Sequence, residues 1–199
     1  MTPPHADRSA APRGEEELLE RARSGDEDAF HEIVGLHADR VYGAVRRFGL
    51  GPADAEEVAQ EVFLRAWRGL DRFQGRAQLS TWLYRIAFNE AQRRLARREP
   101  VTVVPADDGE NPVEAVPDAG RGPAAQALDH EFARVLQDAL TQLPPEWRAA
   151  VVLRDLEGLP TRDAAVAVGV REAAFKSRLH RGRMQLRGLL EPYLRLEED

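Results

Sequence analysis

The stretch LEGLPTRDAAVAVGVREAAFKSRLHRGRMQL, residues 156–186, decides the fold. A short helix over 161–168, a turn at Gly169 and a longer helix from Arg171 predict a helix-turn-helix unit. Advancing by about 100° per residue along the second helix gathers four residues on one face: Phe175, Leu179, Gly182 and Leu186. That face is expected to pack inward.

The opposite face of the same helix is small and basic. It carries Ala173, Ser177, His180 and Met184, with Lys176 and Arg181 towards its edges and Arg178 and Arg183 at the flanks. Small side chains admit a helix to the major groove, where Arg and Lys donate to guanine edges and phosphates. The pattern favours a DNA-reading helix. The alternative at this point is a solvated, Arg-rich face on a structural helix.

The rest of the chain also has the periodicity of helices, and nothing in it demands a β-strand. Further helices are expected over residues 15–24, 30–48, 53–69, 80–98, 125–143 and 146–156, and the last helix is expected to end near 190. Ser80 or Thr81 is the expected cap of the fourth helix, and Pro145 belongs in the first turn of the sixth. The fold class is therefore all-α: a disordered tail (1–14), a first helical domain (15–98), an extended acidic, Pro-rich linker (99–124) and a second helical domain (125–199).

The charge distribution is more informative than its total. The chain carries 28 Lys plus Arg and 34 Asp plus Glu, a net charge of −6. Residues 85–98 hold five Arg and one acid, and residues 171–187 hold six basic residues and one acid. Between these stripes, residues 99–131 hold eight acids and one Arg. This indicates two anion-binding surfaces on a chain that repels polyanions as a whole.

Several classes of function are excluded by missing residue types. The chain has no cysteine, which rules out disulfides, thiol catalysis and Cys-based zinc sites. No phosphate loop, HExxH motif or nucleophile elbow occurs. His37 lies on an apolar helix face, so it is expected at the core edge rather than as a ligand. Glu56, Glu57 and Glu61 lack a second catalytic element. No enzyme activity, cofactor or metal is expected. Because no run of about 20 apolar residues occurs, a cytoplasmic protein is expected.

Two further helices carry candidate binding surfaces. The fourth helix and the loop before it interleave Arg85, Arg93, Arg94, Arg97 and Arg98 with Phe73, Trp82, Tyr84 and Phe88, a combination that suits unstacked bases. The competing interpretation makes these aromatics core; it is preferred for Trp82 and left open for Phe73. The polar face of the third helix bears Asp54, Glu57, Gln60, Glu61 and Arg65. It is either solvated or an acidic docking surface for a basic partner helix.

Taken in order, these elements resemble bacterial sigma factors of the extracytoplasmic-function group. The matching strings are GDEDAF (25–30), DAEEVAQEVFLRAWRGLDRF (54–73), STWLYRIAFNEAQRRL (80–95), LPPEWRAAVVLRDLEGL (143–159) and KSRLHRGRMQLR (176–187). The resemblance covers about residues 16–98 and 127–190. The sequence departs from the family pattern at Pro160, where Thr161 is the expected substitute cap, and at Ala164, Val166 and Ala173-Ala174, so a slightly smaller core is expected there.

The resemblance implies promoter recognition together with core RNA polymerase, and it assigns roles to particular residues. The first domain (region 2) would bind the −10 element through Phe73, Gln74, Gly75, Arg76, Ala77, Gln78, Arg85, Asn89 and Arg93. The second (region 4) would bind the −35 element through Arg171, Ala173, Lys176, Ser177, Arg178, His180 and Arg181. The polymerase clamp would meet Asp54, Glu57, Gln60, Glu61 and Leu64, and the flap would also be contacted. An anti-sigma factor is an expected partner; membrane insertion and a small-molecule substrate are not expected.

Two other functions remain open from the sequence. One is a sigma-like mimic that sequesters an anti-sigma factor without initiating transcription; such mimics normally carry an extra receiver domain and a degraded DNA face. The other is a stand-alone helix-turn-helix repressor, which leaves residues 53–98 unexplained and predicts tight DNA binding by the isolated chain.

Overall fold

A computed structural model of the protein describes residues 14–75, 77–97 and 123–195. Within these ranges all regular structure is helical. The predicted tail up to residue 13, the predicted linker up to residue 122, and Arg76 lie outside the described residues. No helix in the described part of the chain is long and apolar enough to cross a membrane.

The described helices follow the predicted order closely. They are α1 (Glu15–Arg23), α2 (Glu27–Arg47), α3 (Pro52–Gly69), α4 (Leu79–Arg97), α5 (Pro123–Thr141), α6 (Pro145–Val151), α7 (Thr161–Ala167) and α8 (Glu172–Arg195). A 3₁₀ turn (Leu70–Arg72) follows α3, and a π-helix (Val152–Leu156) follows α6.

Two predicted caps are wrong. The fourth helix starts at Leu79, so Ser80 and Thr81 lie inside its first turn rather than before it. The seventh helix starts at Thr161, and Pro160 takes the capping position without a side-chain hydrogen bond. Pro145 does occupy the first turn of α6, as predicted.

The predicted single helix over 146–156 divides into α6 and the π-helix. The N–H of Glu157 donates to the carbonyl of Val152, five residues back, at 2.9 Å. One wide turn keeps Val152 and Leu153 buried. A pattern with 3.6 residues per turn does not predict the extra residue of a π-turn, because that turn depends on the packing around it.

In the first half of the chain, α2 packs across α1, α3 and α4. The buried side chains include Ile33 and Val41 of α2, Val62 of α3 and Leu83 of α4. His37 is also buried, as predicted for the core edge, and its Nε2 lies 2.6 Å from Oε1 of Glu15. No pattern in the sequence indicates this partner, which ties α1 to α2.

In the second half, α8 packs on α5, α6 and α7. The predicted inward face of α8 is confirmed: Phe175 and Leu179 are buried. Gly182 lies so close to α6 that a Cβ there would be 2.8 Å from Cγ2 of Val151 and 3.0 Å from the carbonyl oxygen of Trp147. The glycine therefore sets how closely α8 packs against α6.

The two halves also contact each other. α4 packs against α7, while α2 contacts α5 and the π-helix. The buried apolar cluster runs through both halves without a break. The molecule is thus a pair of helical units held face to face.

Candidate nucleic-acid and polymerase interfaces

The outward face of α8 carries the predicted −35 residues. Arg171, Ala173, Lys176, Ser177, His180 and Arg181 are exposed, and Arg178 is half-buried. Because Phe175, Leu179 and Gly182 anchor the opposite side, the helix presents this face to solvent over its first three turns. The arrangement matches what major-groove entry requires.

Internal contacts hold several of these basic groups. The Lys176 Nζ lies 2.7 Å from Oε1 of Glu172, and this ammonium holds the pKa of the Glu172 carboxyl below its ordinary value. The Arg181 guanidinium lies 6.0 Å from the ring centroid of Trp147. The Arg178 guanidinium lies 3.7 Å from the Glu146 carboxylate. The basic face is therefore oriented before any ligand arrives, and Arg171, Lys176 and Arg181 are its exposed cations.

The loop before α4 is folded onto the first half rather than open. Phe73 is buried, and its ring centroid lies 5.1 Å from that of Trp82. The Arg23 guanidinium donates to the carbonyl of Phe73 and lies 5.6 Å from its ring centroid. The ring of Phe73 is thus a core contact in this conformation. The sequence left open whether Phe73 belongs to the core, and the structure places it there. Gln74 and Gly75 are exposed beside it, and Ala77 and Gln78 are half-buried.

Trp82 is half-buried and forms part of the floor of an Arg-rimmed groove between α3 and α4. The groove is lined by Arg65, Arg68, Gly69, Arg72, Trp82, Ile86, Asn89, Glu90 and Arg93. Asn89 and Arg93 were predicted as DNA contacts; Arg65, Arg68 and Arg72 were not. The i, i+3 spacing of Arg65 and Arg68 on one face of α3 was the sequence signal that would have found them, and Arg72 follows in the 3₁₀ turn.

Glu90 organises the cations at the end of this groove. Its Oε1 lies 3.1 Å from Nε of Arg65 and 2.7 Å from Nη1 of Arg93. The carboxylate is nearly buried, so it fixes one Arg from each wall. Arg85, the remaining predicted −10 cation, is exposed on the same helix. A groove with basic walls and an apolar floor is able to hold a nucleic-acid backbone beside an unstacked base.

The acidic face of α3 is partly neutralised within the chain. The Arg94 guanidinium approaches Oδ1 of Asp54 at 2.6 Å and Oε2 of Glu57 at 2.6 Å, and these two carboxylates raise its pKa. Glu61 is held by Arg65 at 2.7 Å. Beside them Gln60 is exposed and Leu64 is 49% exposed. The surface combines carboxylates held by arginines with an outward leucine.

No group of three or more His, Cys, Asp or Glu suited to a metal ion occurs among the residues the structure describes.

Two family models match the chain, and together they cover most of it. Sigma-70 region 2 matches residues 33–100, and Sigma-70 region 4 matches residues 133–186. The first unit carries the Arg-rimmed groove and the acidic α3 face; the second carries the helix-turn-helix. The fold and these surfaces define a two-domain, all-α chain built from sigma regions 2 and 4.

Similar proteins agree with this class. The chain is 34% identical over 186 residues to the RNA polymerase sigma-H factor of Pseudomonas aeruginosa, covering 91% of this chain and 96% of that protein. It is 32% identical over 183 residues to the ECF RNA polymerase sigma-E factor of Escherichia coli K12, covering 89% and 95%. The solved structure of CnrH in complex with the cytosolic domain of CnrY superposes with a TM-score of 0.65 at 26% identity, covering 90% of this chain and 98% of that one. The chain belongs to the ECF sigma factors of the sigma-70 family.

Proposed function

We propose that this chain directs core RNA polymerase to promoters, reading the −35 element with α8 and the −10 element with α4 and the Arg-rimmed groove. The observation that carries the proposal is the outward face of α8. Lys176 and Arg181 lie there, opposite the buried side on which Gly182 packs against α6. Family membership supports the same role, since the matching relatives are named as RNA polymerase sigma factors. In this proposal the polymerase carries out initiation, and the chain supplies promoter recognition.

The Arg-rimmed groove supplies the second part of the proposal. Opening DNA requires that unstacked bases be captured, and capture offsets a melting cost of a few kcal/mol per base, as an order of magnitude. Trp82 and Ile86 offer the apolar floor, while Arg65, Arg68 and Arg93 offer phosphate contacts. The acidic total charge keeps the free chain from binding DNA tightly on its own.

The α3 face, with Asp54, Glu57, Gln60, Glu61 and Leu64, is the proposed polymerase contact. An anti-sigma factor is a further proposed partner, and the CnrH structure, with CnrY bound, supports the idea that chains of this fold take a protein partner. The proposed extent of region 2 is 15–98 and that of region 4 is 125–199.

Run-off transcription with core RNA polymerase on fragments of the source genome tests the proposal. Defined transcripts should appear only with the chain present. Lys176→Ala combined with Arg181→Ala should abolish them while polymerase binding persists, because the α3 face is untouched. Arg134→Ala removes an exposed cation from α5 and should leave the transcripts intact. Polymerase binding without any transcript would favour the sequestering mimic, and absence of polymerase binding would overturn the proposal.

A further inference from the structure

Glu90, on α4, is a nearly buried carboxylate between two exposed arginines. Its Oε1 lies 3.1 Å from Nε of Arg65, on α3, and 2.7 Å from Nη1 of Arg93, one turn further along α4. The Glu90 side chain is 10% exposed, whereas the side chains of Arg65 and Arg93 are 44% and 55% exposed. The carboxylate is therefore hidden from a ligand, and the two cations are not.

The two guanidinium groups converge on the same carboxylate oxygen. Like charges this close repel each other, and the carboxylate between them offsets the repulsion. A guanidinium carries five N–H donors, so bonding to Glu90 leaves each arginine with further donors on its exposed side. Nε of Arg65 also lies 2.7 Å from Oε1 of Glu61, which restrains this side chain further. The pair of cations is thus held in place before a ligand binds.

This pair of cations lies in the wall of the Arg-rimmed groove. Trp82 and Asn89 line the same groove, so an anion held by Arg65 and Arg93 would lie beside an indole ring and an amide. Guanidinium groups bind phosphate oxygens through paired N–H donors, and an indole ring stacks on an unstacked base. Single-stranded nucleic acid presents a phosphate and a base side by side. It therefore fits the groove better than a protein carboxylate, which brings no base for the ring.

We propose that Glu90 is a positioning residue, which holds Arg65 and Arg93 together as a clamp for one phosphate of a single strand. The proposal deepens the function proposed above and rests on its assignment of the groove to unstacked DNA. The clamp requires both arginines at once, and Glu90 acts through them without touching the strand.

A role in positioning and a role through charge alone predict opposite effects of removing the acid. Glu90→Gln keeps the size of the side chain and removes one negative charge beside the groove. Through charge alone, this variant would attract a polyanion more strongly than the wild-type chain does. A neutral amide does not offset the repulsion between the two guanidinium groups, so the clamp should instead open and binding should weaken.

Fluorescence anisotropy of a labelled oligothymidylate measures binding by the full chain at low ionic strength, where phosphate contacts are least screened. Glu90→Gln should raise the dissociation constant about fivefold, the size of effect expected for one lost hydrogen bond. Asp71→Asn is the matched control. It removes an exposed acid next to Arg72 of the same groove and should leave the dissociation constant unchanged or lower it. A dissociation constant of Glu90→Gln at or below the wild-type value overturns the proposal, as does absence of binding by the wild-type chain.

A second comparison shows whether Glu90 acts through Arg93. In a chain that carries Arg93→Ala the clamp is already incomplete, so adding Glu90→Gln should cause no further loss of affinity. A further loss as large as that in the wild-type background would contradict the positioning role.

Arg93→Ala by itself serves if Glu90→Gln does not fold, which circular dichroism determines. It should weaken oligothymidylate binding more than Arg97→Ala, which removes another exposed cation from α4. Equal losses from the two variants would be the result of charge alone and would overturn the clamp.

The clamp and the proposed function fail separately. Transcripts from the wild-type chain, together with unchanged or tighter oligothymidylate binding by Glu90→Gln, would retain the sigma function and remove the clamp. Weaker binding by Glu90→Gln without any transcript from the wild-type chain would retain the clamp as a phosphate site and remove the function.

Discussion

Gly182 is the point of closest approach between α8 and α6, and it shows how one missing Cβ positions a functional face. In Gly182→Ala the new methyl carbon would lie 2.8 Å from Val151 Cγ2 and 3.0 Å from the Trp147 carbonyl oxygen. Backbone cannot yield as a flexible side chain does, so the substitution should destabilise the second half by about 1–3 kcal/mol. Chemical denaturation followed by circular dichroism measures the loss.

Gly188→Ala is the control on the same helix. No atom beyond its own stretch of helix lies within 4 Å of the position its Cβ would take. Alanine there should leave stability unchanged or raise it by about 0.4–1 kcal/mol, because it restricts the unfolded chain. Equal stability of Gly182→Ala and Gly188→Ala would contradict the packing argument.

A second residue-scale prediction concerns the pair of Glu15 and His37, with Oε1 and Nε2 2.6 Å apart and both side chains buried. Glu15→Ala leaves His37 without this partner and should cost about 1–3 kcal/mol of stability. Glu16→Ala removes an acid from the same first turn at an exposed position and should change stability far less. Thermal melting of both variants compares their stabilities. Similar melting temperatures for Glu15→Ala and Glu16→Ala would contradict the pairing.

At the scale of the element, the start of α2 provides a pH-dependent prediction. Asp26 accepts from the Ala29 N–H at 3.0 Å and pairs with Arg21. The Ala29 N–H and then the Arg21 guanidinium hold the pKa of Asp26 below its ordinary value of 3.8. A lowered folded-state pKa contributes stability above the ordinary value, and this contribution is lost as the pH falls through the lowered one.

Asp26→Asn should therefore melt below wild type at neutral pH, and the difference should vanish as the pH falls below the ordinary pKa of an Asp side chain and through the lowered pKa of Asp26. The Asn side chain still caps the helix, so the difference reports the carboxylate charge. Glu27→Gln, an exposed change in the same turn, should show no comparable pH dependence. A difference in melting temperature that persists at low pH would contradict the assignment.

At the scale of the whole molecule, Gly49 links backbone conformation to the docking of the halves. Its φ of +106° is in the left-handed region, and its Cβ would lie 1.9 Å from Nη1 of Arg148. Nη1 of Arg148 donates to the Phe48 carbonyl at 2.8 Å. Gly49→Ala should displace this guanidinium and lower the free energy of unfolding by more than backbone strain alone does. Gly25→Ala carries the same backbone strain, at φ +94°, with nothing within 4 Å, and should lose less stability. Chemical denaturation measures both variants, and equal losses would point to strain rather than to Arg148.

Helical periodicity alone located every helix of the described chain within a few residues. It also placed Phe175, Leu179 and Gly182 on the inward face of α8, because residues three and four apart share a helix face wherever the helix packs. Local rules were less reliable at boundaries. They missed the π-helix at Val152–Leu156, since its extra residue per turn is selected by neighbouring packing and not by local propensity.

The amino-acid sequence by itself determined the all-α class, the helix-turn-helix, the cationic outward face of α8 and the family resemblance that its motifs carry. These properties depend on residue order within one helix or on motifs along the chain. The tertiary structure decided that Phe73 is packed and that Arg65 and Arg93 meet at Glu90. It also decided that the buried Glu157 carboxylate accepts hydrogen bonds from Arg47 and Tyr84. Each of these contacts joins residues far apart in the chain or on different elements, and their meeting depends on how whole helices pack, which no local pattern encodes.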